Sequence, residues 1–379
     1  MVSGRKSKDM IREAESEVST ENRRPKTEDR NLKPIDWNSV KRVLVVRLRS
    51  IGDTVLATPS LIALKRFLPA AEIDILLEDW VAPVLDGFDA VDQIFTFKKT
   101  DLRSRFAAAR AIRRRRYDVA FNLHGGTTAT FFVRASGATH RVGFSGYQYR
   151  FLYNHLLSSS SDFWGEKPTH SAEQQLALLG FVGVPVEDRP KSRLTVTEAA
   201  RRSIEAKLQR TIQDSKSKIA LFHPAAAFDT KQWATENFAR TAEYLDAANF
   251  QTIAVATRRE RAVLDNLKNL SRAPVIAFDD LSLPEITALA ARADLFVGND
   301  SGIAHIAAAV ATPSVVVFGS SNVDHWRPWT DAPHAVVREE MPCQPCAGYS
   351  CQEFGAPKCI LGVKTESVFA AIDRVTSQL

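Results

Sequence analysis

One stretch near the end of the chain constrains its fold more than any other: Ala293–Gly319, with the sequence ADLFVGNDSGIAHIAAAVATPSVVVFG. An apolar run, Leu295–Val297, leads into a polar turn, and an alanine-rich helix then leads to a second apolar run, Ser314–Phe318. A strand–turn–helix unit directs the N–H groups of the helix start towards one point beyond the sheet, where anions and above all phosphates bind. The stretch therefore predicts a parallel α/β sheet with a phosphate-binding edge.

A similar unit lies near the start of the chain, in Arg42–Phe67, where Gly52 and Asp53 occupy the turn. The strand patterns are continuous apolar runs, which is typical of parallel strands buried on both faces. The predicted strands are Val43–Leu48, Ile73–Leu77, Gln93–Phe97, Val119–Leu123, Ile219–Phe222, Thr252–Ala256, Val275–Phe278, Leu295–Val297 and Ser314–Phe318. The predicted helices are Val55–Phe67, Val81–Leu85, Ser104–Arg114, His170–Gly180, Glu198–Arg210, Asn237–Ala247, Glu260–Leu270, Pro284–Ala291 and Ile303–Val310. This alternation predicts an α/β chain of two doubly wound, Rossmann-like domains that face one cleft.

The domain limits follow from changes in composition. Residues 1–38 are dominated by charged residues and serine and are predicted to be a disordered tail. Residues 39–200 form the predicted first domain, and residues 201–364 form the second, which includes the cysteine segment. Residues 365–379 are predicted to contain a C-terminal helix, and its packing back onto the first domain is one arrangement that we consider.

The composition of the chain indicates its cellular compartment and the partners to expect. No apolar run reaches the length that spans a bilayer, and the N-terminus lacks the apolar core of a signal peptide, so we expect a cytoplasmic protein. The net charge of +6 is partly local, because four consecutive arginines lie in one short stretch: Arg113, Arg114, Arg115 and Arg116. These arginines are either a solvated helix face or a patch for a phosphorylated glycolipid, a membrane surface or nucleic acid.

Asp53 is the candidate catalytic residue. It follows the first strand at the carboxyl edge of the sheet, where open α/β sheets bind ligands, and Gly52 before it lets a ligand or another backbone approach closely. A carboxylate at this place can act as the general base that removes a proton from an attacking hydroxyl. The alternative is a structural aspartate that caps the following helix.

The turn of the second unit supplies the candidate phosphate-binding residues Asp300, Ser301, Gly302 and His305. Ser301 and His305 are four residues apart, so both fall on one face of the helix. Phosphate binding by the N–H groups at this helix start is the expected use. The alternatives are a helix cap at Asp300 or Ser301 and an ordinary packed histidine at His305.

Two further residues follow strands of the second domain. Lys231 lies shortly after the first of them, where its charge can neutralise a diphosphate leaving group. Glu260 follows the next strand, and it is either a helix-start acid or a hydrogen-bond partner of a ribose.

The chain has four cysteines, Cys343, Cys346, Cys351 and Cys359, which share one segment with the spacing C-x2-C-x4-C-x7-C. In a chain expected to be cytoplasmic, this clustering indicates metal binding rather than disulfides, with structural zinc or an iron–sulfur cluster as the candidates. The alternative is four reduced thiols in a loop, because the second pair lacks the close spacing of zinc ribbons.

Together these segments resemble glycosyltransferase family 9, the ADP-heptose:lipopolysaccharide heptosyltransferases. The resemblance spans Lys41–Leu379 and is carried by RVLVVRLRSIGDTVLATPSLIALKRFLPAAEIDIL, HPAAAFDTKQWATENFA, FVGNDSGIAHIAAAVATPSVVVFG, the Trp326–Trp329 segment and the C-x2-C element. The chain departs from some members of the family in two respects. Ala225, Ala226 and Ala227 stand where those members carry hydroxyl residues before the lysine, and the charged N-terminal extension is unlike compact members.

The resemblance implies a GT-B fold in which the first domain binds the acceptor and the second binds the donor. It also implies an inverting transfer of heptose from ADP-heptose to a lipopolysaccharide core sugar, with no required cofactor. By position, Asp53 matches the family's proposed base, and Lys231 matches a residue at the donor phosphates. The donor-binding motif matches Asp300, Ser301, Gly302 and His305, and Glu260 is a looser match to an acid near the ribose.

Three other functions are weighed against this one. The first is transfer of a different nucleotide sugar to another envelope glycan. The second is a metal-stabilised nucleic-acid-binding protein, which leaves both strand–turn–helix units unexplained, and the third is a sugar-nucleotide epimerase on a similar fold. The partners that we expect are ADP-heptose, a lipopolysaccharide core or related glycolipid, and peripheral contact with the cytoplasmic face of the inner membrane, with no nucleic acid.

Overall fold

The chain folds around two parallel sheets of six strands each. The computed structural model describes residues 34–211, 218–346 and 349–378, so most of the predicted tail lies outside the described residues. The first sheet contains β1 (Arg42–Val46), β2 (Glu72–Glu78), β3 (Gln93–Phe97), β4 (Val119–Asn122), β5 (His140–Phe144) and β6 (His155–Leu157). The second contains β7 (Lys218–His223), β8 (Phe250–Val255), β9 (Val275–Phe278), β10 (Leu295–Asn299), β11 (Ser314–Phe318) and β12 (His334–Arg338).

Both sheets have the same topology. The first has the order β3-β2-β1-β4-β5-β6, and the second, taken from its other edge, has the equivalent order β9-β8-β7-β10-β11-β12. The strand order therefore reverses between β1 and β4 in one sheet and between β7 and β10 in the other. Such switch points open a crevice at the carboxyl ends of the strands, which is where α/β proteins bind ligands.

Helices cover both faces of each sheet. In the first half they are α1 (Ile51–Val55), α2 (Thr58–Phe67), α3 (Leu102–Arg115), α4 (Gly126–Ser136), α5 (Ser160–Trp164) and α6 (Ser171–Phe181). In the second half they are α7 (Glu198–Thr211), α8 (Thr235–Ala247), α9 (Arg261–Leu270), α10 (Leu283–Arg292), α11 (Gly302–Ala309), α12 (Val323–Trp326), α13 (Lys358–Leu361) and α14 (Thr365–Thr376). Short 3-10 turns lie at Trp37–Ser39, Ala82–Leu85, Arg150–Leu152, Asp229–Lys231 and Arg258–Glu260.

Strand β1 illustrates why the apolar runs form central strands. Its residues alternate between the two faces of the sheet, with Val43 and Val45 in the core that includes α2. Leu44 and Val46 belong to the opposite core, which includes residues of α3 and α4. Because both faces are covered, every position must be apolar, and the run reads as continuous rather than alternating.

Several elements differ from the sequence-based prediction. The predicted helix Val55–Phe67 is two helices, α1 and α2, and the predicted helix Val81–Leu85 is a 3-10 turn. Strands β5, β6 and β12 and helices α4, α5, α12 and α13 are absent from the sequence-based prediction. The three strands lie towards the edges of their sheets and carry polar or half-exposed residues such as His140, His155 and His334, so they lack the continuous apolar pattern.

The two ends of the described chain correct the predicted domain limits. Residues 35–38 were assigned to the disordered tail, but Ile35 is buried in the first core and Trp37 Nε1–H donates to the Val182 carbonyl at 2.9 Å. Helix α14 packs on β11, β12 and α8 of the second domain rather than back onto the first. Its apolar side chains belong to the core of the second sheet, and Phe369 stacks on Tyr244 with ring centroids 4.2 Å apart.

The two domains meet through apolar residues. Helix α1 packs on α11, α10 packs on the 3-10 turn Ala82–Leu85, and one apolar cluster includes residues of both sheets. Among the described residues, no helix has both the length and the apolar character to cross a membrane.

Candidate functional site

The two switch points face each other across the domain contact. Helix α1 begins after β1, and α11 begins after β10, so each helix start lies at a switch point. A Cβ atom on Gly52 would lie 2.6 Å from His305 Cδ2, and one on Gly302 would lie 2.8 Å from Ile51 Cβ. The absence of side chains at these two glycines therefore permits the close approach, which places Asp53 beside the start of α11.

Asp53 is the predicted base, and both of its carboxylate oxygens have partners. Oδ1 is ion-paired with Arg47 Nη2, while Oδ2 accepts hydrogen bonds from Ser50 N–H at 3.2 Å and from Ser50 Oγ at 3.1 Å. The carboxylate thus has the structural capping role that was weighed for it. Its side chain is still 23% exposed, so a ligand can reach it.

The pKa of the Asp53 carboxyl lies below its ordinary value. Burial alone would raise this pKa, but the Arg47 guanidinium and the Ser50 hydrogen bonds outweigh burial. Arg47 is itself buried and donates through Nη1 to the Leu123 carbonyl, which fixes the guanidinium between β1 and the end of β4. Arg47 is not among the predicted site residues, and the sequence signal for it is a charged side chain within the apolar run Val43–Leu48.

A polar cavity of about 200 Å³ lies at the carboxyl edge of the first sheet. The cavity is lined by the basic side chains of Arg49, Lys99 and His124, by the acidic Glu78 and by the start of α4. Burial and the neighbouring Arg47 lower the pKa of His124 to about 4, although Asp53 acts in the opposite direction. His124 is therefore neutral near pH 7 and can donate or accept a hydrogen bond beside the base. The HGG turn after β4 was the sequence signal for this histidine.

The second switch point brings together the predicted phosphate-binding residues. Lys231 Nζ lies 2.8 Å from Asp300 Oδ2, and Ser321 Oγ donates to the same oxygen. Ser301 is the N-cap residue of α11, and its Oγ lies 3.1 Å from His223 Nδ1. Asp300 therefore holds the lysine over the helix start, and the N–H groups of α11 lie beside a fixed positive charge.

His305 is buried on α11 between the two carboxylates. Burial lowers its pKa, while Asp300 and Asp53 act to raise it. Its Nδ1 has no hydrogen-bond partner among the described residues. A buried polar nitrogen without a protein partner is uncommon, and it marks a place where a ligand atom can form a hydrogen bond.

Glu260 has the capping role that was one of its two alternatives. Its Oε2 accepts hydrogen bonds from Thr257 N–H at 2.9 Å and from Thr257 Oγ1 at 2.7 Å. The pKa of His223 is lowered to about 4 by burial, and the negative charge of Glu260 opposes that shift. Glu260 thus lies near the second switch point, and contact with a ribose stays a prediction.

The arginine run does not form one continuous patch. Arg115 turns towards the sheet and is ion-paired with Glu72 at 2.8 Å and with Asp74 at 3.0 Å. Arg113, Arg114 and Arg116 are exposed. The prediction of a four-arginine surface is therefore wrong for Arg115, because this side chain satisfies two acidic residues of β2.

The four cysteines surround one cavity of about 180 Å³, which Thr230 also lines. Cys346 N–H donates to the Ser320 carbonyl and Ser320 N–H to the Thr230 carbonyl, so the segment supports the turn that carries Lys231. Within the described ranges, no group of three or more histidine, cysteine or acidic side chains is placed to hold a metal ion. Metal binding thus stays a prediction, which the zinc and iron content of the purified chain would test.

Comparison with known proteins decides the family. The model of glycosyltransferase family 9 (heptosyltransferase) matches residues 105–356, which is more than half of the chain. The chain belongs to glycosyltransferase family 9. It is therefore a glycosyltransferase, as the sequence resemblance predicts.

Curated relatives agree with this family. Lipopolysaccharide heptosyltransferase 3 of Escherichia coli K12 is 25% identical over 297 residues, which cover 75% of this chain and 84% of that protein. The lipopolysaccharide core heptosyltransferase OpsX of Haemophilus influenzae is 21% identical over 327 residues, which cover 86% of this chain and 90% of that protein.

Solved structures of family members share the fold. The family 9 glycosyl transferase of Veillonella parvula superposes with a TM-score of 0.77 at 18% identity, covering 89% of this chain and 98% of that one. Escherichia coli ADP-heptose lps heptosyltransferase II superposes with a TM-score of 0.74 at 20% identity, covering 89% of this chain and 99% of that one. These likenesses confirm the predicted GT-B fold.

Proposed function

We propose that this family 9 enzyme transfers a heptose from ADP-heptose to a sugar of a lipopolysaccharide core, with inversion at the anomeric carbon. One observation carries the proposal: the Asp53 carboxylate lies beside the start of α11, across the Gly52–Gly302 contact, and the N–H groups of that helix start are suited to bind a phosphate. The similarity to lipopolysaccharide heptosyltransferase 3 and to the lipopolysaccharide core heptosyltransferase OpsX supports the choice of substrates.

In the proposed reaction the acceptor hydroxyl attacks the anomeric carbon from the face opposite the diphosphate. The new C–O bond forms as the bond to the phosphate oxygen breaks, and ADP leaves with the bonding electron pair. Asp53 takes the hydroxyl proton, which becomes acidic only as the new bond forms, so a carboxylate of low pKa is adequate. A single displacement of this kind inverts the configuration.

The second switch point stabilises the leaving group in this proposal. Negative charge develops on the diphosphate as the bond breaks, and the N–H groups at the start of α11 together with Lys231 offset it. Because these groups already supply positive charge, we propose that the transfer needs no divalent cation. Activity that is unchanged by EDTA is the expected outcome, and loss of activity that Mg²⁺ restores would contradict this part of the proposal.

The reaction is tested by incubating the purified chain with a truncated core glycolipid and a panel of nucleotide sugars. We expect ADP release that requires both ADP-heptose and the glycolipid, and a product whose anomeric configuration, measured by NMR, is opposite to that of the donor. The panel matters because Ala225 and its two neighbours offer the donor no hydroxyl groups. Faster transfer from another nucleotide sugar would overturn the donor assignment, and retained configuration would overturn the single displacement.

A further inference from the structure

The outer face of α3 and α4 carries three exposed apolar side chains among arginines. Leu102 is 64% exposed and Phe106 is 66% exposed, and they are four residues apart on the side of α3 that faces away from the sheet. Phe131 of α4 is 43% exposed and lies edge-on to Phe106, with ring centroids 6.5 Å apart. These three side chains form an exposed apolar cluster, which soluble proteins rarely display without a binding role.

Positive charge surrounds this cluster and is not neutralised. Helix α3 contains six arginines, α4 contains one, and neither helix contains an acidic residue. Five of these arginines are exposed and form no ion pair with any described residue: Arg103, Arg110, Arg113, Arg114 and Arg134. We call these five arginines and the three apolar residues the α3–α4 patch.

We propose that the α3–α4 patch docks the enzyme on the surface of an anionic phospholipid bilayer. Exposed Leu and Phe side chains partition into the boundary between headgroups and acyl chains, and surrounding arginines bind lipid phosphates. Single-stranded nucleic acid, the other polyanion weighed above, stacks its bases on the faces of aromatic rings. Phe106 and Phe131 instead pack edge to face at 87°, and with Leu102 they form a compact apolar projection that suits a lipid interface.

The position of the patch connects the docked surface to the catalytic side of the molecule. Lys99 lines the polar cavity at the carboxyl edge of the first sheet, and α3 begins only three residues later with Leu102. The apolar end of the patch therefore lies next to the cavity that also contains Arg49 and His124. A docked enzyme would present this cavity to groups that project from the membrane surface.

Vesicle sedimentation of the full chain tests the docking, with no donor or acceptor present. We expect binding to vesicles of equal parts phosphatidylglycerol and phosphatidylethanolamine, weak binding to phosphatidylcholine vesicles, and loss of binding as salt is added. The double variant Phe106→Ala/Phe131→Ala should weaken binding by about tenfold or more. Replacing Arg103, Arg110 and Arg114 by Gln should weaken binding by about fivefold for each arginine.

Control variants change exposed leucines and arginines of the second domain. Leu270→Ala/Leu361→Ala and Arg201→Gln/Arg202→Gln should bind vesicles as the unaltered chain does, because these residues lie outside the patch. The melting temperature of each variant verifies that it is folded. Failure of the unaltered chain to bind anionic vesicles at low salt would overturn the proposal. Binding that neither patch variant weakens, or tighter binding to a DNA oligonucleotide than to vesicles, would overturn it as well. None of these outcomes depends on the donor or the reaction.

Discussion

The two switch points share one topology but present different chemistry. At the first, side chains dominate, because the Asp53 carboxylate is held by Arg47 beside the neutral His124. At the second, the backbone N–H groups of α11 lie beside a lysine that Asp300 holds in place. The strand order thus determines where loops converge, and the loop residues determine the chemistry. In the proposed reaction, the first switch point accepts a proton and the second stabilises an anion.

The largest expected effect is at the first switch point. Asp53→Asn should lower kcat by about 10²- to 10⁴-fold, because the amide cannot take the acceptor proton. The Kd for ADP-heptose, measured by calorimetry, should stay nearly unchanged, because the proposed donor site is at the second switch point. The control is Asp188→Asn, which removes an exposed ion pair with Arg66 elsewhere in the first domain. A rise in Kd as large as the fall in kcat would contradict the division of proton acceptance and donor binding between the two switch points.

The second switch point should give the opposite pattern. Lys231→Met should weaken ADP binding by about ten- to hundredfold, because it removes the proposed charge-assisted contact with the diphosphate. The control is Lys218→Met, since Lys218 is exposed at the start of β7, where the amino ends of the strands lie, opposite the candidate site. Equal ADP affinity in the Lys231→Met variant and the unaltered chain would refute the assignment of this lysine to the donor.

The contact between the switch points should tolerate no added methyl group. Gly52→Ala places a Cβ atom 2.6 Å from His305 Cδ2, so the free energy of unfolding should fall by about 1–3 kcal/mol and kcat/KM should fall with it. Thermal unfolding and steady-state kinetics measure these effects. Gly146→Ala is the control, because nothing lies within 4 Å of a Cβ atom at that position. If Gly52→Ala and Gly302→Ala were fully additive, the two glycines would not share one contact.

The smallest effect near neutral pH is expected at Arg47. In the unaltered chain the lowered pKa keeps Asp53 ionised, so activity is lost only as pH falls through that low value. Arg47→Gln removes the positive charge that offsets the effect of burial on the Asp53 pKa. This pKa should therefore rise, and the acid limb of kcat/KM should move to higher pH. Arg193→Gln, which breaks the Asp89 ion pair, is the control. An unchanged acid limb would show that Arg47 does not set the pKa of the proposed base, Asp53.

The central strands and the position of the site were predictable, because buried parallel strands and their turns carry strong local patterns. The turn residues Asp53 and Asp300 follow directly from those patterns. The packing of α14 was not predictable, because its apolar face fits either domain and only the tertiary fold decides between them. The inward orientation of the Arg115 side chain was also not predictable, because its acidic partners on β2 lie far away in the sequence. Arg47 lies within the predicted strand Val43–Leu48 and His124 directly follows the predicted strand Val119–Leu123, and neither was predictable as a site residue because the neighbours of both come from other strands.

His170, at the start of α6, joins the first domain to the Trp326–Trp329 segment of the second. Because α14 packs on the second domain, the described part of the chain passes from the first domain to the second only once, so the relative orientation of the domains depends on contacts such as this one. His170 Nε2 lies 2.8 Å from the Arg327 carbonyl, and its ring stacks on Trp329 with centroids 4.6 Å apart. Burial lowers the pKa of His170 to about 3, so this joint keeps its hydrogen bonds throughout mild acidification. A change of pH near neutrality should therefore leave this contact, and the domain orientation that depends on it, unaltered.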